Sequence, residues 1–159
     1  MTAPYTANLE LASEEATIAF AHRLGESLTP GDTVLLSGEI GSGKTFLARA
    51  LIQHLMGNHV EDVPSPTFTL VQTYSVPIGE IWHADLYRLT DSWDLVELGL
   101  EDALGRAICL IEWPDRMGDM KPNDALSITL EATEMDTARI AKLETRSPKW
   151  QSLLEGEHR

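Results

Sequence analysis

Basic residues are scarce in this chain: 12 Lys and Arg stand against 25 Asp and Glu, a formal net charge of -13. Neutralising phosphates takes clustered cations, so the surface is not expected to bind nucleic acid by itself, and nucleic acid would come through a partner. Cysteine is nearly absent. With Cys109 alone no intrachain disulfide can form, and a reducing compartment is the expected setting. No basic start followed by an apolar stretch opens the sequence, and no apolar run approaches the roughly 18 residues of a membrane span. These absences point to a soluble, cytosolic protein with no membrane partner. Aromatic residues make up only 6%, yet 43% apolar and 23% charged is ordinary globular composition. At 159 residues one core can bury roughly two thirds of the unfolded surface, so residues 1–159 read as a single domain.

The acidic excess is local. Residues 76–136 carry 14 acids and 4 bases, whereas residues 1–75 carry 8 and 3. That middle third is either a solvated face or a docking face for a basic partner.

Hydrophobic periodicity and punctuation divide the chain. Ser13 followed by Glu14 and Glu15 starts a helix over about 13–28, with Ile18, Phe20 and Leu24 on its apolar stripe. Pro30-Gly31-Asp32 is a turn, and Thr33–Ser37 is an apolar run suited to a strand covered on both faces. Residues 44–56 form a second helix closed by Gly57. Strands are expected at Thr67–Tyr74, Glu80–Leu86 and Ala107–Ile111, with a helix from Asp91 or Ser92 through about 104. Leu126–Leu130 alternates strictly and predicts a half-exposed strand, returned by a hairpin near Met135-Asp136 through Ala138–Thr145. The hairpin spans about 126–145, and Trp150–Leu154 is expected as a short terminal helix. The architecture is an α/β sheet of mixed direction.

One stretch carries chemistry by its spacing. Gly38-Glu39-Ile40-Gly41-Ser42-Gly43-Lys44-Thr45 fits G-x-x-x-x-G-K-[ST], placed after a buried strand and opening a helix. A chance match in a chain this long is about one in a few hundred on average residue frequencies. Glycines let the backbone wrap a phosphate with its N–H groups inward, and the helix dipole adds positive potential there. Lys44 is expected to reach the β and γ phosphates, and the Thr45 hydroxyl to ligate Mg²⁺. Such a loop needs an acid at the end of a neighbouring strand. Glu112, directly after Ile108–Ile111, is the Walker B candidate, as metal ligand or as the group that orients the attacking water. Trp113 beside it is read either as core packing or as a nucleotide-stacking ring. Asp85, inside Trp82–Arg88, is costly unless paired or used; a local hydrogen bond or an Arg88 pair competes with a role in the site. His83 would share its strand face. Ser65-Pro66-Thr67-Phe68 offers a hydroxyl on a stiff loop, as switch loops do.

Three nucleotide-using classes fit these features. A GTPase needs an [NT]-K-x-D stretch, and Lys121, Lys142 and Lys149 stand in none. The D-x-x-G matches at Asp102–Gly105 and Asp115–Gly118 are too loose to count. A small-molecule kinase usually carries an arginine-rich lid, whereas residues 76–136 hold only Arg88, Arg106 and Arg116. The kinase reading is the alternative to a coupling ATPase, whose output is a conformational change felt by a partner.

Five blocks resemble the bacterial TsaE family in order, spacing and wording: Leu36–Thr45, Ser65–Val71, His83–Leu89, Leu98–Leu100 and Ile108–Pro114. The resemblance runs from residue 13 to about 145. That family supplies the ATPase component of the system that makes threonylcarbamoyladenosine (t6A) in tRNA. The resemblance implies a three-layer α/β fold of the phosphate-loop NTPase type, with ATP and Mg²⁺ as ligands and hydrolysis that is weak alone. Its partners would be homologues of TsaD and TsaB, which transfer threonylcarbamoyl from its adenylate to the adenosine beside the anticodon. Hydrolysis would reset that complex, with tRNA met indirectly and the acidic middle third helping to dock. Motif by motif, Lys44 and Thr45 take the phosphate and Mg²⁺ roles, Glu112 the metal or water role, and Asp85 a catalytic role near the γ-phosphate. Thr67 takes a switch-like role, and Glu14 lies near the adenine. Two departures stand out: Ala84 replaces a frequent Phe, and Asp136 stands where many members have Arg, with Arg139 three residues later.

Overall fold

The computed structural model of the chain describes residues 4–39, 41–57, 70–87, 96, 98–135 and 137–155. Ile40, the Ser65–Thr67 block, Arg88 and Asp136 lie outside the described residues, as do residues 91–95 and 97 of the helix expected from 91 to about 104.

The described residues form a seven-stranded sheet in the order β1-β7-β6-β2-β5-β4-β3. Its parallel centre is β6 (Leu126–Ala132), β2 (Thr33–Ser37), β5 (Ile108–Glu112) and β4 (Gly79–Asp85). Antiparallel strands flank that centre: β3 (Val71–Val76) on β4, and β7 (Arg139–Thr145) then β1 (Tyr5–Leu11) beyond β6. This is the mixed α/β sheet expected from the sequence. Central β2 is buried on both faces from Thr33 to Leu36, and β5 along its whole length, which explains their uninterrupted apolar runs.

Strand periodicity sorts these residues into two cores. Val34, Leu36, Ile81, Ile108 and Leu110 face α1 (Glu14–Ser27) and α2 (Lys44–Met56), packing with Phe20, Leu24, Leu47 and Leu51. Leu35, Ala84, Cys109 and Ile111 face the other way, under Leu100, Ala103 and Met117 from a short helix, α3 (Leu100–Ala103), and a 3₁₀ segment at Pro114–Met120. The sheet thus has helical cover on both faces. Among the described residues, no helix is long and apolar enough to cross a membrane.

Local signals set the ends of the two long helices. Ser13 is extended (φ -155°), and its Oγ accepts the Ala16 N–H at 3.1 Å. Gly57, at φ +66°, closes α2. Several expectations shift. β1 was not expected: the chain begins with an edge strand, whose Leu9 and Leu11 join the first core. The first hairpin runs Val71–Val76 and Gly79–Asp85, one residue earlier on its second strand than expected, because Leu86 turns to donate to the Glu112 carbonyl at 3.1 Å. The terminal helix is a 3₁₀ turn at Pro148–Trp150 followed by α4 (Gln151–Glu155), with the Trp150 indole donating to the Asp124 carbonyl at 3.2 Å.

Candidate functional site

The parallel strands all end on one edge, and there the chain runs from β2 through residues 38–43 into α2. Gly41 and Gly43 lie at φ +84° and +105°, the left-handed region that side chains rarely adopt. Gly43 is the N-cap of α2 and has no side chain to cap it. The first N–H groups of α2, which have no partner within the helix, therefore face whatever enters the loop. Gly38 is needed for space: a Cβ there would sit 2.5 Å from the Leu130 carbonyl and 2.6 Å from Ser42 Oγ. Ser42 Oγ is itself buried with no hydrogen-bond partner.

Lys44 curls back over this loop. Its Nζ donates to the carbonyls of Gly38 at 2.6 Å and Glu39 at 3.1 Å, and sits 4.3 Å from the Trp113 ring centroid. Burial pulls the ammonium below its ordinary pKa, against the opposing pull of the Glu112 and Asp85 carboxylates. The loop's glycines, free amides and buried cation make a cradle that fits a polyphosphate.

Across from Lys44, the strand registers set Asp85 opposite Glu112. Asp85 and His83 on β4 share one sheet face, as do Glu112 and Leu110 on β5. Glu112, only 2% exposed, accepts from Thr45 Oγ1 at 3.0 Å on Oε1 and 3.3 Å on Oε2, and meets His83 Nε2 at 2.7 Å on Oε2. A Thr hydroxyl bound to a carboxylate offers hard oxygens of the kind Mg²⁺ prefers. Asp85 accepts the Tyr87 N–H at 3.0 Å, the local bond anticipated for it, and also lines the cavity. That cavity, of about 400 Å³, brings together Gly43, Lys44, Thr45, Asp85, Glu112 and Trp113.

Trp113 serves both of its readings, packing against the second core while lining the cavity. Its backbone is left-handed at φ +60°, rare for a bulky residue, and its ring meets that of Tyr87 at 4.8 Å. Glu14 lies apart from the acids, beside a smaller cavity of about 120 Å³ shared with Thr17, Gly43, Phe46 and Arg139. Glu39 is exposed on the outer side of the loop, its carbonyl holding Lys44.

Three contacts escaped local sequence reading. His83 meets Glu112, not only Asp85's face; the Tyr87 ring packs against Trp113 at a tilt of 50°; and Arg139, 97 positions from Ser42, donates to its carbonyl at 2.7 Å. Two of the features weighed for a kinase or a GTPase lie away from the cavity. Arg106 pairs with Glu80 at 3.2 Å, at the opposite end of β4 from the cavity, and Asp102–Gly105 precedes β5 at that same far edge.

A family model described as "Threonylcarbamoyl adenosine biosynthesis protein TsaE" matches residues 11–141, a span that holds all these candidate residues. The chain belongs to the TsaE family. The tRNA threonylcarbamoyladenosine biosynthesis protein TsaE of Rickettsia bellii is 40% identical over 126 residues, covering 79% of this chain and 87% of that one. The protein of the same name from Bacillus subtilis is 31% identical over 127 residues, covering 79% and 78%. A crystal structure of YdiB from Bacillus subtilis shares the fold, with a TM-score of 0.77 at 22% identity over 98% of this chain and 96% of that one. As a TsaE-family member, the chain is a t6A biosynthesis protein.

Proposed function

We propose that this chain is a Mg²⁺-dependent ATPase subunit of the t6A modification machinery. In this reading it associates with homologues of TsaD and TsaB in an ATP-dependent way and resets their complex, meeting tRNA only through it. The machinery works in the cytosol. The observation that carries the nucleotide part is the Thr45 Oγ1 bond to Glu112 Oε1 at 3.0 Å, which joins the phosphate loop to the acid at the end of the neighbouring strand.

Each residue has a task that follows from its place. The amides of Gly41 and of residues 43–45 bind phosphate oxygens, that of Ser42 being held by the Glu39 carbonyl at 3.0 Å, and Lys44 exchanges its carbonyl partners for the β and γ phosphates. Thr45 and Glu112 would hold Mg²⁺, which when bound neutralises phosphate charge and polarises the phosphoryl group. Asp85, on the same face and 27 positions from Glu112 in the chain, orients water at the end of the phosphate chain. The ring of Trp113, packed at a tilt against Tyr87, shields that end from bulk water. Glu14 and its small cavity lie at the other end of the loop, suited to the base. The acidic middle third is the docking face for the partner pair. The partner-dependent part rests on family membership, since the relatives carry the t6A name.

The test is ATP turnover with Mg²⁺ by the purified chain, alone and with the cognate TsaB and TsaD proteins, beside Lys44→Ala and Glu112→Ala. Weak hydrolysis that rises with the partners and is lost in both variants is the expected result. Turnover that ignores the partners but rises with a small-molecule acceptor would establish the kinase alternative instead.

A further inference from the structure

We propose that His83 is the positioning residue for Glu112, holding one carboxylate oxygen so that the other is presented to Thr45 and the phosphate loop. The inference rests on reading Glu112 as the strand-end carboxylate of an ATP-hydrolysing site.

Glutamate is an unusual choice at this place. It has one more rotatable bond than aspartate, so a strand end that fixes the backbone leaves the carboxylate less fixed. A second anchor removes that freedom, and β4 supplies it. His83 pairs with Leu110, two register pairs back from Asp85–Glu112, and so lies diagonal to Glu112 on the same sheet face, within reach of a side chain this long. Its side chain is fully buried, Glu112 is 2% exposed, and Nε2 stands 2.7 Å from Oε2.

The two anchors divide the carboxylate between them. His83 meets Oε2, whereas Thr45 Oγ1 is nearer Oε1, at 3.0 Å against 3.3 Å. Oε1 is therefore the oxygen turned toward the loop.

The other ring nitrogen fixes the direction of the bond. His83 Nδ1 is buried with no hydrogen-bond partner. A proton there would be a buried donor with no acceptor, whereas a bare ring nitrogen gives up only an acceptor site. The proton sits on Nε2, and His83 donates to Glu112. A fixed donor behind a liganding carboxylate sets its orientation and keeps it an acceptor toward the loop.

Three chains in full length decide this: wild type, His83→Leu, and His83→Gln, whose amide N–H reaches about as far as the imidazole Nε2–H. Turnover is measured with the partner proteins and Mg²⁺, and ATP affinity separately. His83→Leu is expected to lower kcat about 10-fold or more while ATP affinity stays within about 3-fold, the range in which outer-shell partners of metal-site ligands act. His83→Gln is expected to recover most of that loss, which a purely space-filling role would not allow. A second readout needs no hydrolysis: the His83 Nε2 proton, followed by NMR of the wild type, is expected to be slowly exchanging and to shift strongly in Glu112→Ala. Leucine with wild-type kcat, glutamine no better than leucine, or an Nε2 proton that Glu112→Ala leaves in place would each overturn the proposal. Absence of wild-type turnover would overturn the ATPase reading instead, and the NMR comparison would still decide whether His83 holds Glu112.

Discussion

Arg139, the first residue of β7, reaches back to the phosphate loop and donates from Nε to the Ser42 carbonyl at 2.7 Å, with a longer bond from its second terminal nitrogen to the Gly41 carbonyl at 3.4 Å. A phosphate loop can point its amides inward only if its carbonyls point outward. The outward carbonyls of Gly41 and Ser42 are the ones that Arg139 meets, while those of Gly38 and Glu39 are held by Lys44. The guanidinium thus fixes the cradle from outside without occupying it.

Removing that brace is expected to weaken nucleotide binding. A hydrogen bond from a charged group contributes about 1.5–3 kcal/mol, so Arg139→Ala should raise the ATP dissociation constant by roughly tenfold or more. Arg139→Lys should not rescue it, because an ammonium lacks the planar fork that spans two carbonyls. Titration calorimetry of the three chains checks this, and unchanged affinity in Arg139→Ala would count against the brace.

The loop glycines separate two kinds of cost. At Gly41 an added Cβ meets nothing within 4 Å, so alanine brings only the strain of φ +84°, about 1–2 kcal/mol for a left-handed residue. At Gly38 the same Cβ would press on the Leu130 carbonyl at 2.5 Å, and main chain must move as well. Gly38→Ala is therefore expected to lose about 1–3 kcal/mol more than Gly41→Ala through overpacking. Urea unfolding of both variants gives the ranking, and equal midpoints would contradict it.

What the sequence made legible follows from which contacts are local. The loop from Gly38 to Thr45, the ends of α2 and the buried runs of β2 and β5 are written in neighbouring residues, and punctuation by Gly57 and apolar continuity sufficed. Edge strand β1 is written there too, since Tyr5, Ala7, Leu9 and Leu11 alternate with Thr6, Asn8 and Glu10. Its signal is weak because Ala, Asn and Glu are poor strand formers, and its stability comes from pairing with β7, more than 120 positions away. The site divides in the same way. Lys44 and Thr45 are set by one motif, whereas the bonds from His83 to Glu112 and from Arg139 to Ser42 depend on the register of parallel strands and on a hairpin's return. A single sequence does not encode those registers locally. Position-by-position reading had His83 beside Asp85 and could not see that both face Glu112.

Capping of α1 gives a prediction independent of nucleotide. Ser13 Oγ accepts the Ala16 N–H at 3.1 Å, and its carbonyl accepts from Thr17 N at 3.1 Å. Ser13→Ala removes only the first, and should cost about 1 kcal/mol, whereas Ser13→Asp, which keeps an acceptor and adds charge at the positive end of the helix, should hold wild-type stability. Thermal unfolding compares them; a Ser13→Ala chain as stable as wild type would show that the cap contributes nothing.

Cys109 sets a limit at alkaline pH. Its side chain is fully buried on β5, and burial pushes the thiol up to about 12 from an ordinary value of 9.0, with a smaller lowering by Arg106 and a smaller raising by Glu80. In the unfolded chain the thiol ionises near its ordinary value, while the folded chain keeps the proton. The unfolded state therefore binds fewer protons above about pH 9, and stability falls as pH rises from there toward the folded value. Below pH 9 this contribution is fully present. At about pH 10.5, some 1.5 units above the unfolded pKa, the loss from this one group is about 2 kcal/mol at 1.36 kcal/mol per unit. Cys109→Ala lacks the ionising group, so although it leaves a small cavity and starts less stable, its stability should fall less between about pH 8 and 10.5 than that of the wild type. Denaturant midpoints of both chains at the two pH values measure the difference. Parallel loss in the two chains would mean that the buried thiol does not govern the alkaline limb.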